Sequence, residues 1–187
     1  MLGTARLLTR SLADARVSVG LSWRNLGHAF DNRTEQRPVD PRQWGVLYLG
    51  GAKPGDKARR LCKDPLIAID RNGEPLADQA TALAGLQGLV ALDGNWAQAK
   101  ALWWRNAWLT RLRRLVVVPD GPSLYGNLRR EARPDAVSTL EAVALALSVL
   151  EADATVRERL LVPFRELVRR ARGAGIRDSK RDRRSRR

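Results

Sequence analysis

Four short apolar runs separated by helix-length segments constrain this chain more than any other feature. They are Trp44–Leu49 (WGVLYL), Leu66–Asp70 (LIAID), Gly88–Leu92 (GLVAL) and Leu115–Val118 (LVVV). Unbroken apolar strands of this length suit a sheet covered on both faces. Residues 4–13, Ala77–Leu86, Trp96–Leu112, Thr139–Glu151 and Thr155–Arg172 read as helices, and Ser22–Ala29 as a further helical piece. Ala15–Val19 alternates weakly, as a short strand would, and Asn32–Arg42 carries Pro38 and Pro41 and reads as a loop. The pattern predicts an α/β fold with a mostly parallel sheet flanked by helices. In such sheets ligands sit beyond the carboxyl ends of the strands. The segments leaving those ends, Gly50–Asp56, Asp93–Asn95 and Pro119–Asp135, are therefore where a site is expected.

At 187 residues the chain is expected to form one domain. Its 44% hydrophobic content is enough for a core of ordinary size. No apolar run reaches the roughly 18 residues of a membrane span, and MLGTARLLTRSL lacks the apolar stretch of a signal peptide, so the expected address is cytoplasmic with no membrane partner. A single cysteine, Cys62, excludes an internal disulfide framework, and a single histidine, His28, argues against a multi-histidine metal site. No metal is expected. Cys62 reads as inert packing.

The net charge of +14 is uneven. Residues 169–187 hold ten basic and two acidic residues, net +8. This stretch has almost no apolar content and is expected to be a disordered basic tail following a folded domain over residues 1–168. Such tails either hold polyanions, of which nucleic acid is the obvious one, or merely solubilise. The charge remaining on residues 1–168 favours nucleic acid.

Four segments suit chemistry. In Asp93-Gly94-Asn95-Trp96 an acid stands at a strand end before a helix start; Asp93 is either catalytic or, like Asn95, a cap. The helix that follows is apolar nearly all round, with Gln98, Arg105 and Asn106 as its wet face. Trp103, Trp104 and Trp108 on it read as core or interface, which leaves monomer and homodimer both open. Ser138-Thr139-Leu140-Glu141-Ala142 is a capping box, and its helix start also offers free N–H groups to a carboxylate or ribose. Tyr125, with Arg129 and Arg130 close behind, suits base stacking and phosphate clamping, or is an ordinary surface loop. Gly50-Gly51-Ala52-Lys53-Pro54-Gly55-Asp56 lacks the spacing of a P-loop, but its glycines permit close backbone approach to a cofactor.

Together these segments resemble the DTW-domain family of RNA aminocarboxypropyltransferases. The family signature Asp-x-Thr-Trp stands here as Asp93-Gly94-Asn95-Trp96, with Asn95 in place of threonine. The family's Tyr-x-x-Arg-like segment matches Tyr125 to Arg129, and its Leu-Ser-Thr-x-Glu-Ala matches Val137 to Ala142. Leu2-Gly3-Thr4-Ala5-Arg6-Leu7-Leu8 is similar to its early Asn-Thr-x-x-Leu-Leu stretch. The resemblance covers roughly residues 3–150. Many relatives begin with a cysteine cluster that looks metal-binding; this sequence starts after that point and reads as a short form.

The resemblance implies a SPOUT-like fold with a knotted C-terminal half. It implies S-adenosylmethionine as co-substrate and transfer of its 3-amino-3-carboxypropyl group to N3 of a uridine in tRNA, with rRNA as the other candidate. Asp93 is the candidate general base, best suited if partial burial raises its pKa, or else it only orients the base or the cofactor. The implied cofactor pocket takes Thr4, Leu49, Gly50, Gly51, Leu92, Asp93, Trp96, Val118, Pro119, Ser138, Thr139 and Glu141, and Tyr125, Arg129 and Arg130 face RNA. Two rivals share parts of this pattern. One is a SPOUT-type RNA methyltransferase; the other is a non-catalytic RNA- or ribosome-binding protein.

Overall fold

The apolar runs form the sheet expected of them. A computed structural model of the protein describes residues 4–30, 39–48, 64–128 and 136–175. The strands are β1 (Trp44–Leu47), β2 (Leu66–Ile69), β3 (Gly88–Ala91) and β4 (Arg113–Val117). They lie in the order β2-β4-β1-β3. β1 pairs in parallel with both β3 and β4, whereas β2 pairs antiparallel with β4. The sheet is therefore mixed and mostly parallel, and its one antiparallel strand lies at an edge. The helices are α1 (Ala5–Ser11), α2 (Leu26–Ala29), α3 (Gln79–Leu83), α4 (Trp96–Arg105), α5 (Thr139–Leu150) and α6 (Ala154–Gly173).

Two readings of the sequence are corrected. Ala15–Val19 forms no strand. The helix expected over Trp96–Leu112 ends at Arg105, and a 3-10 turn over Ala107–Arg111 takes its place before β4. Asn106 is the reason. It was expected on the wet face, yet it is buried at 1% exposure. Its amide donates to the carbonyls of Leu102 and Leu21, and its Oδ1 accepts from the backbone N–H of Trp23 and from Trp108 Nε1. One buried amide thus ends α4 and pins residues 21–23 against it. α6 runs to Gly173, close to the helix expected over Thr155–Arg172; residues 176–187, most of the expected tail, lie outside the described residues.

Strand alternation sends side chains to two cores. On one face Leu66, Ala68 and Leu115 pack with Ala82 of α3 and Ala146 of α5. Beyond α5, Leu140, Val143 and Ala144 meet Leu160, Phe164 and Val168 of α6 and Leu8 of α1. α5 is therefore buried between the sheet and α6. On the other face Val46 packs with Leu26, Leu109 and Leu112, flanked by Trp44, Trp103 and Trp108. Gly45 allows β1 its place in the centre: a Cβ there would lie 2.5 Å from Leu115 Cδ1.

Candidate functional site at the carboxyl ends of the parallel strands

β1, β3 and β4 run in one direction side by side, so Tyr48, Leu92–Asp93 and Val118 leave the sheet at the same edge. Asp93 follows β3 directly. Gly94 then takes φ +141°, a conformation side chains rarely adopt, and a Cβ there would come within 2.9 Å of Gln98 Cβ. That turn sets Asn95 as the cap of α4. Asn95 Oδ1 accepts from the Gln98 N–H at 3.0 Å, and Gln98 Oε1 accepts from the Asn95 N–H at 2.8 Å. The capping role considered for Asn95 is real, and it leaves Asp93 outside the cap.

Asp93 is engaged elsewhere. Thr139 Oγ1 donates to Asp93 Oδ1 at 2.7 Å, joining the segment after β3 to the first residue of α5. Among the described residues Asp93 Oδ2 has no hydrogen-bond partner. Asp93 is exposed in the free protein.

The start of α5 is built by Ser138 and Glu141. Ser138, 2% exposed, accepts from the Glu141 N–H through its hydroxyl, and Glu141 Oε2 accepts from the Ser138 N–H at 2.8 Å. Glu141 goes further: it accepts from Ser123 Oγ and from the Leu124 N–H, each at 2.7 Å. Its carboxylate is thereby committed to holding the segment after β4 against α5, and it acts from beneath the site. The sequence shows the capping box but carries no local signal for a bond reaching back 17 residues.

The rest of that segment is clipped to α6. Arg157 forms a two-pronged ion pair with Asp120 at 2.8 and 3.1 Å. Its guanidinium hydrogen bonds hold the Asp120 carboxyl below the ordinary carboxylate range. Arg172 Nη2 donates to the Leu124 carbonyl at 3.3 Å. The C-terminal turn of α6 therefore lies beside the segment that Glu141 holds against α5. Tyr125 corrects an expectation: it is buried at 1% exposure, with its ring edge-on to Phe164 at 4.9 Å. In this conformation its side chain is part of the core rather than of a surface loop.

The remaining expected residues distribute as follows. Thr4 is buried at the head of α1 and accepts through its carbonyl from the N–H groups of Leu7 and Leu8. Leu92 packs with the core on the α4 side, and Val118 packs on Ile67, Ile69 and Val116 while its N–H donates to Pro65. Pro119 is half-buried, and Trp96 is exposed at 38%. Leu49, Gly50, Gly51, Arg129, Arg130 and Cys62 lie outside the described residues. An element the sequence reading missed stands at the end of β1: Tyr48 stacks on Trp103 at 4.5 Å, and Arg114 lies over both rings at 5.8 and 5.7 Å while its Nε donates to the Tyr48 carbonyl.

The arrangement offers a carboxylate with one free oxygen, a hydroxyl fixed to it, and a helix N-terminus whose first-turn amides favour an anion. These groups suit a ligand with an anionic end and hydrogen-bond donors of its own. Among the described residues no group of three or more His, Cys, Asp or Glu is placed to hold a metal ion, and no helix is long and apolar enough to cross a membrane.

Comparison with known proteins bears on this site. The DTW domain pattern matches residues 1–172. The chain is 33% identical over 129 residues to tRNA-uridine aminocarboxypropyltransferase 2 of Drosophila melanogaster, covering 65% of this chain and 51% of that protein. It is 35% identical over 79 residues to the Mus musculus protein of the same name, covering 42% of this chain and 26% of that one. The chain thus spans about half the length of the fly relative and about a quarter of the mouse one. No solved structure matches it.

Proposed function

The chain belongs to the DTW-domain family, and on that premise we propose that it transfers the 3-amino-3-carboxypropyl group of S-adenosylmethionine to N3 of a uridine in tRNA, releasing methylthioadenosine. The observation that carries this reading is the Thr139–Asp93 hydrogen bond. It brings the two segments most characteristic of the family to one point, at the sheet edge where α/β folds bind ligands. We also propose that the C-terminal half has the SPOUT-like knot that family resemblance implies.

The mechanism follows from the residues at that point. S-adenosylmethionine, when bound, supplies a sulfonium-activated carbon chain. The amides that open α5 would hold its carboxylate, and the backbone at Leu92 and Val118–Pro119 would line the adenosine side. Uridine N3–H is a weak acid, so the nitrogen gains a usable lone pair only as its proton leaves. Asp93 accepts that proton on Oδ2, the oxygen Thr139 leaves free. Thr139 fixes the carboxylate plane, and Gly94 lets the chain turn sharply enough to keep it at the strand end. The incoming nucleobase supplies the burial that the free site lacks. Alignment decides which of the three sulfonium carbons meets N3, and hence whether the product is aminocarboxypropylated or methylated.

The test is transfer from two labelled forms of the co-substrate to unmodified bulk tRNA. One carries its label in the methionine carboxylate, the other in the methyl group. Carboxylate label in the RNA is the expected result. Methyl label alone overturns the reading in favour of a methyltransferase. Absence of both, with no binding of the co-substrate, overturns it in favour of a non-catalytic RNA-binding protein.

A further inference from the structure

α4 carries tryptophan where a helix beside a core would carry polar residues. None of its residues is fully buried. Trp103 turns inward onto Tyr48, whereas Trp104 is 73% exposed and Trp96 is 38% exposed. Trp96, Lys100 and Trp104 stand at i, i+4 and i+8, on one face of the helix. This face begins three residues after Asp93 and runs about 12 Å along the axis. That is the length of three to four stacked bases at about 3.4 Å each.

The charge around the stripe selects its occupant. Between Asp93 and Asp120 there is no acidic residue, while Lys100, Arg105, Arg111, Arg113 and Arg114 are basic. Lys100, Arg105 and Arg111 are exposed. The neighbouring strap, tied to α4 through Ser22 Oγ on the Arg105 carbonyl and the Asn106 bonds, adds exposed Arg24 and no acid. A second copy meeting this face across a two-fold axis would set these cations against themselves. Aromatic rings interleaved with cations, along a stretch of chain (94–119) without a carboxylate, match a single strand of nucleic acid, with bases on the rings and phosphates on the cations.

We propose that the Trp96–Lys100–Trp104 face of α4 is a stacking platform for the single-stranded RNA flanking the target nucleotide. This rests on the RNA-substrate reading above. It assigns to Trp104 a binding role that no residue of the DGNW segment requires of it.

The experiment uses the full chain and a fluorescently labelled ten-nucleotide oligouridine, with bulk tRNA as a second probe, titrated at several salt concentrations. Trp104→Ala is expected to weaken binding of both about tenfold with the salt slope unchanged, and Trp104→Phe to restore most of it. Lys100→Ala is expected to lower the salt slope by about one. Because Trp104 is exposed, the melting temperature of Trp104→Ala should match that of the parent chain. Unchanged affinity of Trp104→Ala, with the parent chain binding RNA, overturns the platform and leaves the RNA reading intact. A Trp104→Ala variant that loses self-association while keeping RNA affinity overturns it in favour of a contact between copies. Absence of RNA binding by the parent chain overturns platform and RNA reading together.

Discussion

The hydroxyl of Thr139 donates to the carboxylate of Asp93 across 2.7 Å, and that one bond closes 46 residues of chain into a site. It ties the end of a parallel strand to the N-terminus of α5, the helix packed between the sheet and α6. Removing the hydroxyl should free the carboxylate to rotate while leaving the core intact. Thr139→Ala is expected to lower kcat about tenfold with little change in melting temperature, and Thr139→Ser to retain most of the rate. Steady-state transfer assays on the two variants check this.

Glu141 offers a test that separates a clamp from a ligand-binding residue. Its carboxylate accepts from Ser138, Ser123 and Leu124 within the protein. Hydrogen bonds to a charged group are worth about 1.5–3 kcal/mol each at best, and they share one carboxylate here. Glu141→Ala is expected to cost about 2–3 kcal/mol in urea unfolding, much the same with or without S-adenosylmethionine. A contact with the co-substrate would instead appear as weakened binding at unchanged stability.

Gly94 should tolerate no side chain. Its φ of +141° is strained for any other residue, at about 1–3 kcal/mol, and a Cβ would press on Gln98. Gly94→Ala is expected to lower stability by about that amount and to reduce transfer by far more than Ala97→Ser, an exposed change on the same helix. Thermal melts and transfer rates of the pair provide the comparison.

The Asp120–Arg157 pair makes a small contribution that depends on pH. Because the folded carboxyl titrates below its ordinary value, its stabilisation is complete above the ordinary carboxylate range and is lost as pH falls through the lower folded value. Asp120 is 74% exposed, so the effect is at most about 1 kcal/mol. Asp120→Asn is expected to be slightly less stable than the parent chain at pH 7, with the gap narrowing as pH falls below the ordinary carboxylate range. Urea unfolding across that span of pH measures the gap.

The strands, the Ser138–Glu141 capping box and the cap at Asn95 were legible because their signals are local: short apolar runs, a polar residue at a helix start, and for Ser138 a Glu three positions on; that Gln98 completes a second box at Asn95 was not read. The place of Asp93 at a strand end was legible for the same reason. What escaped was set by distant partners. Asn106 reads as a wet residue until the chain from Leu21 to Trp23 folds over it. Tyr125 reads as a loop aromatic until α6 brings Phe164 beneath it. β2 carries the same apolar run as its neighbours, and only the path of the chain makes it antiparallel. Trp103 and Trp104 are adjacent and identical, and the helix turns one to the core and the other to solvent.

The central claim is that Asp93 takes the proton from the nucleophilic nitrogen. The most direct test is Asp93→Asn, which keeps the shape of the side chain and an oxygen for Thr139 to bond. A single-turnover assay of carboxylate-label transfer should fall at least about a hundredfold, the lower end of what a general base contributes. Co-substrate affinity, measured by calorimetry on the same sample, should stay within about threefold. Transfer at the parent rate would contradict the assignment and leave Asp93 a residue that only orients its neighbours.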